Sequence, residues 1–323
     1  MMNIFEKSGF ILQGNENKDL EIYQKGNVIL LAMKKFKDNK KAFRQSSNHL
    51  DAGLIAELKE EFNSLSSRDD IQSVILTSAH KVVFSRGAKV EIMLNATREE
   101  CRQFIGKLQE LILQIQRFLK PVIAAINGLT WGGGLELAMA CDYRISSDRE
   151  NVVFGMPEAS VGIIPGMGGT QNLSRLIGRE KSFEIIANAK IDIDPVKAKS
   201  YSLVDMVTPA DELITKSFAF AKRKDLKKTF DGASGQPTVE QSVIEEEIKN
   251  FLANKKVEVV PDMRSAPLAK ALISLIFEKD SSLNYLDGLK YEQEIIVYLQ
   301  GTADCKEGIT ALIEERKPVF CGK

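Results

Sequence analysis

The sequence predicts an α/β domain with parallel strand pairing, followed by a mainly helical C-terminal region. In the first part of the chain, short apolar runs typical of buried strands alternate with longer segments of helical spacing, which is the pattern of a parallel sheet. From Met167 onward helical spacing dominates, and only residues 203–207 look extended. We therefore expect one domain over residues 1–207 and a helical region over residues 208–323.

The N-terminal elements follow one another in a regular order. Buried strands are expected at residues 27–33, 74–76, 122–126 and 143–146, because these runs are apolar and short. Helical spacing over residues 51–65 and 97–119 predicts a helix in each of the first two gaps. Thr97 with Glu100 forms a capping box at the start of the second helix, and Pro121 ends it.

The C-terminal region reads as a series of helices interrupted by one loop. Residues 222–237 are charged and contain Gly232, Gly235 and Pro237, so we expect an exposed loop there. Helical spacing resumes over residues 239–253, and further helices are expected at 266–278, 281–299 and 304–315.

Composition excludes several classes of partner. The 323 residues carry 44 Lys and Arg against 44 Asp and Glu, so no overall positive charge favours nucleic acid or an anionic membrane. The four cysteines are scattered and there are only two histidines, His49 and His80. This set disfavours a disulfide scaffold, a metal site and a Ser-His-Asp triad, and both histidines read as solvated loop residues.

Two further expectations concern location. The N-terminal ten residues lack the basic start and apolar core of a secretion signal, and no apolar stretch reaches the length that spans a bilayer. We therefore expect a soluble, cytoplasmic protein without a membrane partner.

The densest chemical signal lies in residues 120–141. A buried strand is followed by Gly132, Gly133 and Gly134 and by an apolar helix that carries one acid, Glu136. Glycines allow close approach of a ligand to the backbone, and a helix N-terminus offers unpaired N–H groups to an oxyanion. Glu136 is either a buried carboxyl with a raised pKa or a side chain that reaches solvent from the helix end.

A second isolated acid, Glu158, follows Pro157 in a segment otherwise free of charge. Two carboxyls in unequal surroundings can serve as general acid and general base at neutral pH. The pattern is moderately specific, since loops often carry single glutamates.

A third segment, residues 83–93, contains Gly87 and Ala88 after a predicted strand. A small residue after glycine can present a free backbone N–H, although the segment taken alone favours an ordinary glycine turn.

In order, spacing and residue type, these three segments resemble the enoyl-CoA hydratase/isomerase (crotonase) family over residues 27–207, and the C-terminal EGITALIEERKPVF is similar to the family's closing helix and tail. The resemblance implies a fold built as a spiral of ββα units. It also implies an oxyanion hole from the N–H groups of Ala88 and Gly133, with Glu136 and Glu158 as the two catalytic glutamates.

By the same resemblance, the protein adds water to the α,β double bond of an acyl-CoA thioester. Relatives that isomerise, decarboxylate or hydrolyse often lack one glutamate, so the presence of both favours a hydratase. An isomerase, another acyl-CoA lyase or hydrolase, and a silent acyl-CoA-binding subunit remain the alternatives. The resemblance implies no metal or other cofactor, and it implies assembly into trimers or dimers of trimers.

The family's substrate-contacting positions carry over with some departures. Residues 83–93 line the CoA or acyl mouth, with Arg86 and with Lys89 where many relatives have aspartate. Trp131 replaces a common aliphatic residue and either packs or narrows the acyl pocket. Gly134 belongs to the same site, and Phe320 of the tail is expected near CoA.

Overall fold

The computed structural model describes residues 3–13, 19–35, 48–229, 235–260, 263–279 and 283–323. The chain divides into two compact units that interleave along the sequence. The first comprises residues 1–88, 111–154 and 192–231, and the second comprises residues 89–110, 155–191 and 232–323. The boundary expected after Val207 is a different division of the chain and stays a prediction.

A seven-stranded sheet organises the first unit. In spatial order its strands are β1 (Ile11–Leu12), β2 (Leu20–Lys25), β3 (Val28–Met33), β5 (Ser73–Ser78), β8 (Val122–Ile126), β10 (Tyr143–Ser147) and β12 (Met206–Thr208). β2 runs antiparallel to both of its neighbours, β1 and β3, and β3, β5, β8, β10 and β12 pair in parallel. The predicted α/β class with parallel pairing is confirmed.

The hydrophobic core of this unit lies on one face of the sheet. Val28, Leu30 and Ala32 of β3 alternate onto this face, as the period of two in a strand requires. They pack with Ile75, Ile123 and Ile145 from the neighbouring strands. The other side chains of β3 are also fully buried, which is why these strands read as continuous apolar runs.

Two small sheets complete the strands. One contains β11 (Phe154–Gly155), β9 (Leu129–Trp131) and β6 (Val83–Ser85), and the other pairs β4 (His49–Leu50) with β7 (Gly87–Ala88). The sequence did not predict these strands because two or three residues are too few for a periodic signal.

Helices pack against the strands of the first unit. They are Ile4–Lys7, Ala52–Ser66, Gly133–Ala140, Pro195–Ser200 and Leu213–Ala221. The helix Arg98–Arg117 begins in the second unit and continues into the first. Its predicted capping box is confirmed: the Glu100 N–H donates to Thr97 Oγ1 at 3.2 Å, and the Thr97 N–H donates to Glu100 Oε2 at 2.7 Å.

The second unit is helical among its described residues. Its helices are Gly169–Ile177, Arg179–Ala187, Gln241–Asn254, Pro267–Lys279, Tyr285–Gln300 and Ala303–Ile313, with 3₁₀ turns at Val90–Leu94 and Glu158–Val161. These confirm the predicted helical C-terminal region. The expected start of one helix at Ser281 lies outside the described residues.

The charged loop expected at residues 222–237 is irregular and mostly exposed where it is described, and residues 230–234 lie outside that part. Two of its residues nevertheless hold a buried carboxylate. Lys228 Nζ lies 2.6 Å from Asp142 Oδ2, and the Thr229 N–H donates to Asp142 Oδ1 at 2.9 Å. This end of the loop is therefore anchored to the start of β10, which the charge pattern did not predict.

Candidate active site

A parallel strand pair aligns the two predicted oxyanion segments in the first unit. Val83 of β6 pairs with Leu129 of β9, but Ser85 pairs with Thr130, so the register shifts by one residue at Phe84. Such a bulge re-aims the residues that follow it. Arg86 directly follows β6, and its side chain contacts that of Trp131 at the end of β9.

Backbone-to-backbone packing keeps these segments together. A methyl carbon added at Gly87 would lie 2.6 Å from the backbone nitrogen of Gly133, and one added at Gly134 would lie 2.2 Å from the carbonyl oxygen of Ser85. Neither space admits a side chain. Gly87 also has a φ of +79°, a region that favours glycine. The structure thus brings the Gly87–Ala88 strand against the glycine triplet, and the reading of Gly87 as an ordinary turn is wrong.

The helix Gly133–Ala140 starts within this contact. Gly132 is its N-cap with a φ of +53°, and Gly133 is the first helical residue, whose N–H has no acceptor within the helix by geometry. The positive end of the helix dipole lies at the same place. This N–H can therefore serve an oxyanion.

Glu136 lies in the first turn of that helix and is 2% exposed. The alternative in which its side chain reaches solvent is wrong. Its helix is otherwise apolar and buried throughout, so the carboxyl sits in surroundings poor in water.

Side chains that the sequence did not single out support the Gly87 segment. Ser85 Oγ accepts from the Gly87 N–H at 3.1 Å and donates to the Asn48 carbonyl at 2.8 Å. Asn48, fully buried with a φ of +49°, donates from Nδ2 to Ser78 Oγ and to the Phe84 carbonyl. Nothing in the sequence marks these residues, because their roles depend on contacts far apart in the chain.

His49 differs from its expected state. It lies in β4, partly buried, with Nδ1 3.2 Å from the Gly87 carbonyl. The interpretation of His49 as a solvated loop residue is wrong, since strand pairing with Gly87 and Ala88 fixes it.

Arg86 and Trp131 form the side-chain contact between the two segments. The guanidinium carbon of Arg86 lies over the indole ring of Trp131, 5.7 Å from its centroid. The Trp131 Nε1–H is buried and has no hydrogen-bond acceptor among the described residues. Lys89, by contrast, is exposed and starts the next turn as the N-cap of Val90–Leu94.

Glu158 lies in the second unit, as the first residue of the 3₁₀ turn Glu158–Val161, and is 8% exposed. The helix Ala303–Ile313 packs tightly against this turn. A methyl carbon at Gly308 would lie 2.6 Å from the Val161 carbonyl carbon, and one at Gly162 would lie 2.6 Å from Cys305 Cα. Two glycines thus allow the backbone contact that fixes the turn carrying Glu158.

Phe320 is 8% exposed and lies in a tail that is bound to its own unit. The fully buried Asp304 accepts from the N–H groups of Cys321 and Gly322 through Oδ1, at 2.7 and 3.0 Å. The Asp304 N–H in turn donates to the Lys323 carbonyl at 3.0 Å. The expected contact of Phe320 with CoA stays a prediction.

The buried thiols do not compete as nucleophiles. Burial raises the pKa of Cys101 to about 11 and those of Cys141 and Cys305 to about 12, so all three remain protonated at neutral pH.

Among the described residues no cluster of three or more His, Cys, Asp or Glu side chains could hold a metal ion. No helix in that part of the chain is long and apolar enough to cross a membrane.

Comparison with known proteins identifies the family of the chain. Residues 39–231 match the family described as Enoyl-CoA hydratase/isomerase. A protein from Dictyostelium discoideum named probable enoyl-CoA hydratase, mitochondrial, is 30% identical over 303 residues, which cover 93% of this chain and 90% of that protein.

Solved structures extend the likeness to three dimensions. An enoyl-CoA hydratase from Bacillus anthracis is 27% identical with a TM-score of 0.57, over 95% of this chain and 100% of that one. The human mitochondrial Δ3,Δ2-enoyl-CoA isomerase shares the fold, with a TM-score of 0.65 at 18% identity over 92% of this chain and 98% of that one. The fold is that of the crotonases. The chain belongs to the enoyl-CoA hydratase/isomerase family.

Proposed function

We propose that this protein is an enoyl-CoA hydratase, which adds water across the α,β double bond of an acyl-CoA thioester. The observation that carries the proposal is the packing of Gly87–Ala88 against the start of the helix that buries Glu136. Relatives that are named enoyl-CoA hydratases and align over most of the chain support it.

The N–H groups of Ala88 and Gly133 bind the thioester oxygen in this proposal. Addition of water makes an enolate, and donors aimed at its oxygen stabilise the transition state by about 3 kcal/mol each. The backbone contact between the two segments holds both donors in place before substrate arrives, so no reorganisation is needed during the reaction.

Glu136 and Glu158 divide the proton transfers. Glu136 assists the attack of water at the β carbon, and Glu158 delivers the proton to the α carbon. The proposal requires that both carboxyls reach one water molecule. Arg86, Lys89, Trp131, Gly134 and Phe320 contact the acyl or CoA part of the substrate, and no further cofactor takes part.

A direct assay tests the function. We expect the wild-type protein to remove the absorbance of the conjugated thioester in crotonyl-CoA, and a panel of enoyl-CoAs identifies the preferred acyl group. Glu136→Gln and Glu158→Gln should each bind substrate but lower kcat by about 10²- to 10⁴-fold, as lost acid–base groups do. The double variant should lose much less than the product of these factors, because both groups act on one water.

The same variants separate the rivals. An isomerase would lose activity in Glu158→Gln and retain much of it in Glu136→Gln, measured by conversion of a 3-enoyl-CoA. A silent binding subunit would bind acyl-CoA without turnover in any form. Full hydration activity in both single variants would contradict the catalytic assignment.

We further propose a homotrimer or a dimer of trimers. The resemblance to the family implies contacts through the helices Tyr285–Gln300 and Ala303–Ile313. The first is almost entirely buried, so the second offers the better contact through Leu312 and Ile313 at its end, each 52% exposed. Mass measurement in solution tests the assembly, and a monomer near the chain mass of 35.9 kDa contradicts it.

The proposed location is the cytoplasm. Fractionation of cells tests it against the mitochondrion, which appears in the name of one relative.

A further inference from the structure

The two oxyanion segments contact one another through backbone atoms. Gly87 contacts Gly133, and Gly134 contacts the Ser85 carbonyl, so these positions contribute no side chain that could interlock. The β6–β9 pairing that precedes them is short and irregular. A small relative displacement of the strands would separate Ala88 from Gly133.

The contact of Arg86 with Trp131 lies directly after the β6–β9 pairing, between that pairing and the glycines of the two segments. Each residue immediately precedes the glycine of its own segment, and the guanidinium lies 5.7 Å from the indole centroid. A cation over an indole face is attracted to it, more strongly when the pair is withdrawn from water. Both residues are partly buried. Because the buried indole N–H has no protein acceptor among the described residues, no hydrogen bond from it orients the ring.

We propose that Arg86 and Trp131 are positioning residues, whose stack sets the spacing between the Ala88 and Gly133 N–H groups and thereby their grip on the thioester oxygen. This inference rests on the proposed function for the identity of the ligand. It gives the pair a role other than substrate contact alone, and the planar guanidinium explains why arginine suits the position, since it stacks on a ring as lysine does not.

The test measures how strongly the hole polarises a bound thioester. Butyryl-CoA labelled with ¹³C at the thioester carbonyl has no double bond to hydrate, and infrared difference spectra report its carbonyl stretch. In the wild type the stretch should move to lower frequency on binding. In Arg86→Gln and Trp131→Leu the shift should shrink, and kcat for crotonyl-CoA should fall about 3- to 30-fold, the range of a cation–π contact, with a smaller change in KM.

Conservative variants keep the test informative if those proteins are unstable. Trp131→Phe retains a ring and should retain most of the carbonyl shift, whereas Arg86→Lys should fall between wild type and Arg86→Gln. The double variant Arg86→Gln/Trp131→Leu should be no worse than the worse single variant, because one contact is lost. Arg223→Gln is the matched control: its arginine stacks on Phe220 at 5.0 Å in the same unit, outside the site, and it should leave the shift unchanged.

Several results would overturn the inference. A wild-type carbonyl shift in Arg86→Gln and Trp131→Leu, a change in KM alone, or additive losses in the double variant would each show that the pair acts as an ordinary ligand contact or not at all. A wild type that shifts the carbonyl without hydrating any enoyl-CoA would remove the proposed function and leave the positioning role standing. Absence of thioester binding would overturn both.

Discussion

Two regions of the molecule are held in place by opposite means. The candidate oxyanion segments of the first unit contact one another through backbone atoms at glycines. The C-terminal tail of the second unit is held by the carboxylate of Asp304, which accepts two backbone N–H groups. The first arrangement leaves no room for an added side chain at these glycines, whereas the second depends on a buried charged group.

This difference determines how each region responds to substitution. Backbone contact fails when volume is added, because neither chain can move without breaking its strand pairing. The carboxylate contact weakens when its charge is removed, because a neutral amide oxygen is a weaker acceptor than a carboxylate oxygen. The site should therefore be sensitive to small additions, and the tail to isosteric changes that add no volume.

The largest effect is expected for Gly87→Ala. The new methyl would lie 2.6 Å from the Gly133 nitrogen, so the segments must separate, at a cost of about 1 to 3 kcal/mol beyond the backbone strain of a positive φ. We expect loss of hydration activity and of thioester carbonyl polarisation. Activity assays and urea unfolding measure both effects.

Gly26→Ala is the matched control for this prediction. Gly26 has a φ of +59°, and a methyl carbon there would meet nothing within 4 Å, so the control carries the backbone strain of about 1 to 2 kcal/mol alone. Equal stability and activity in the two variants would show that the close approach at Gly87 does not matter.

The sequence was a good guide to the elements that are long and apolar. The strand at residues 122–126 and the start of the helix at Arg98 agree with the structure, because burial of a whole strand and a capping box leave local signals. The glycine triplet and Glu136 also stood out locally.

The sequence was a poor guide to whatever depends on register. The register of β6 and β9 shifts at Phe84, and Arg86 contacts Trp131 just beyond this shift. No local pattern shows that two residues 45 positions apart in the chain will meet in that way. The contacts of Asn48 with Ser78 and Phe84 were equally hidden. Short strands and long-range polar contacts are fixed by tertiary packing, which local periodicity does not record.

An intermediate effect is expected for Asp304→Asn. The amide keeps the volume of the side chain but removes the charge that strengthens the two hydrogen bonds to this buried carboxylate. We expect the attachment of the tail to be weaker by about 2 kcal/mol. The rate at which the exposed Cys321 thiol reacts with a maleimide reports tail release, since its backbone N–H is one of the two bound donors.

Asp194→Asn provides the comparison for the carboxylate contact. Asp194 caps the exposed helix Pro195–Ser200 by accepting from the Lys197 N–H at 2.8 Å. Asparagine caps a helix about as well as aspartate does, so this variant should leave both stability and Cys321 reactivity near wild type. A wild-type rate in Asp304→Asn would show that the tail is held without the carboxylate.

The smallest effect concerns the ion pair at the base of the tail and depends on pH. Arg316 donates to both oxygens of Glu307, at 2.6 and 2.8 Å, and the Val319 N–H donates to Glu307 Oε1 at 2.7 Å. The Arg316 hydrogen bonds lower the pKa of Glu307 to about 2 from its ordinary value of 4.5.

A carboxyl with a lowered pKa stabilises the folded state fully when the pH is above its pKa in the unfolded chain, and this contribution is lost as the pH falls through its pKa in the folded protein. The stability advantage of wild type over Glu307→Gln should therefore be constant above about pH 5 and decline between about pH 4.5 and 2. The group is near the surface, so salt should weaken the advantage as well. Urea unfolding of the two proteins across this range measures the difference. A difference between wild type and Glu307→Gln that persists unchanged to pH 2 would contradict a role for the carboxylate charge, and no difference at any pH would show that the tail is held without this pair.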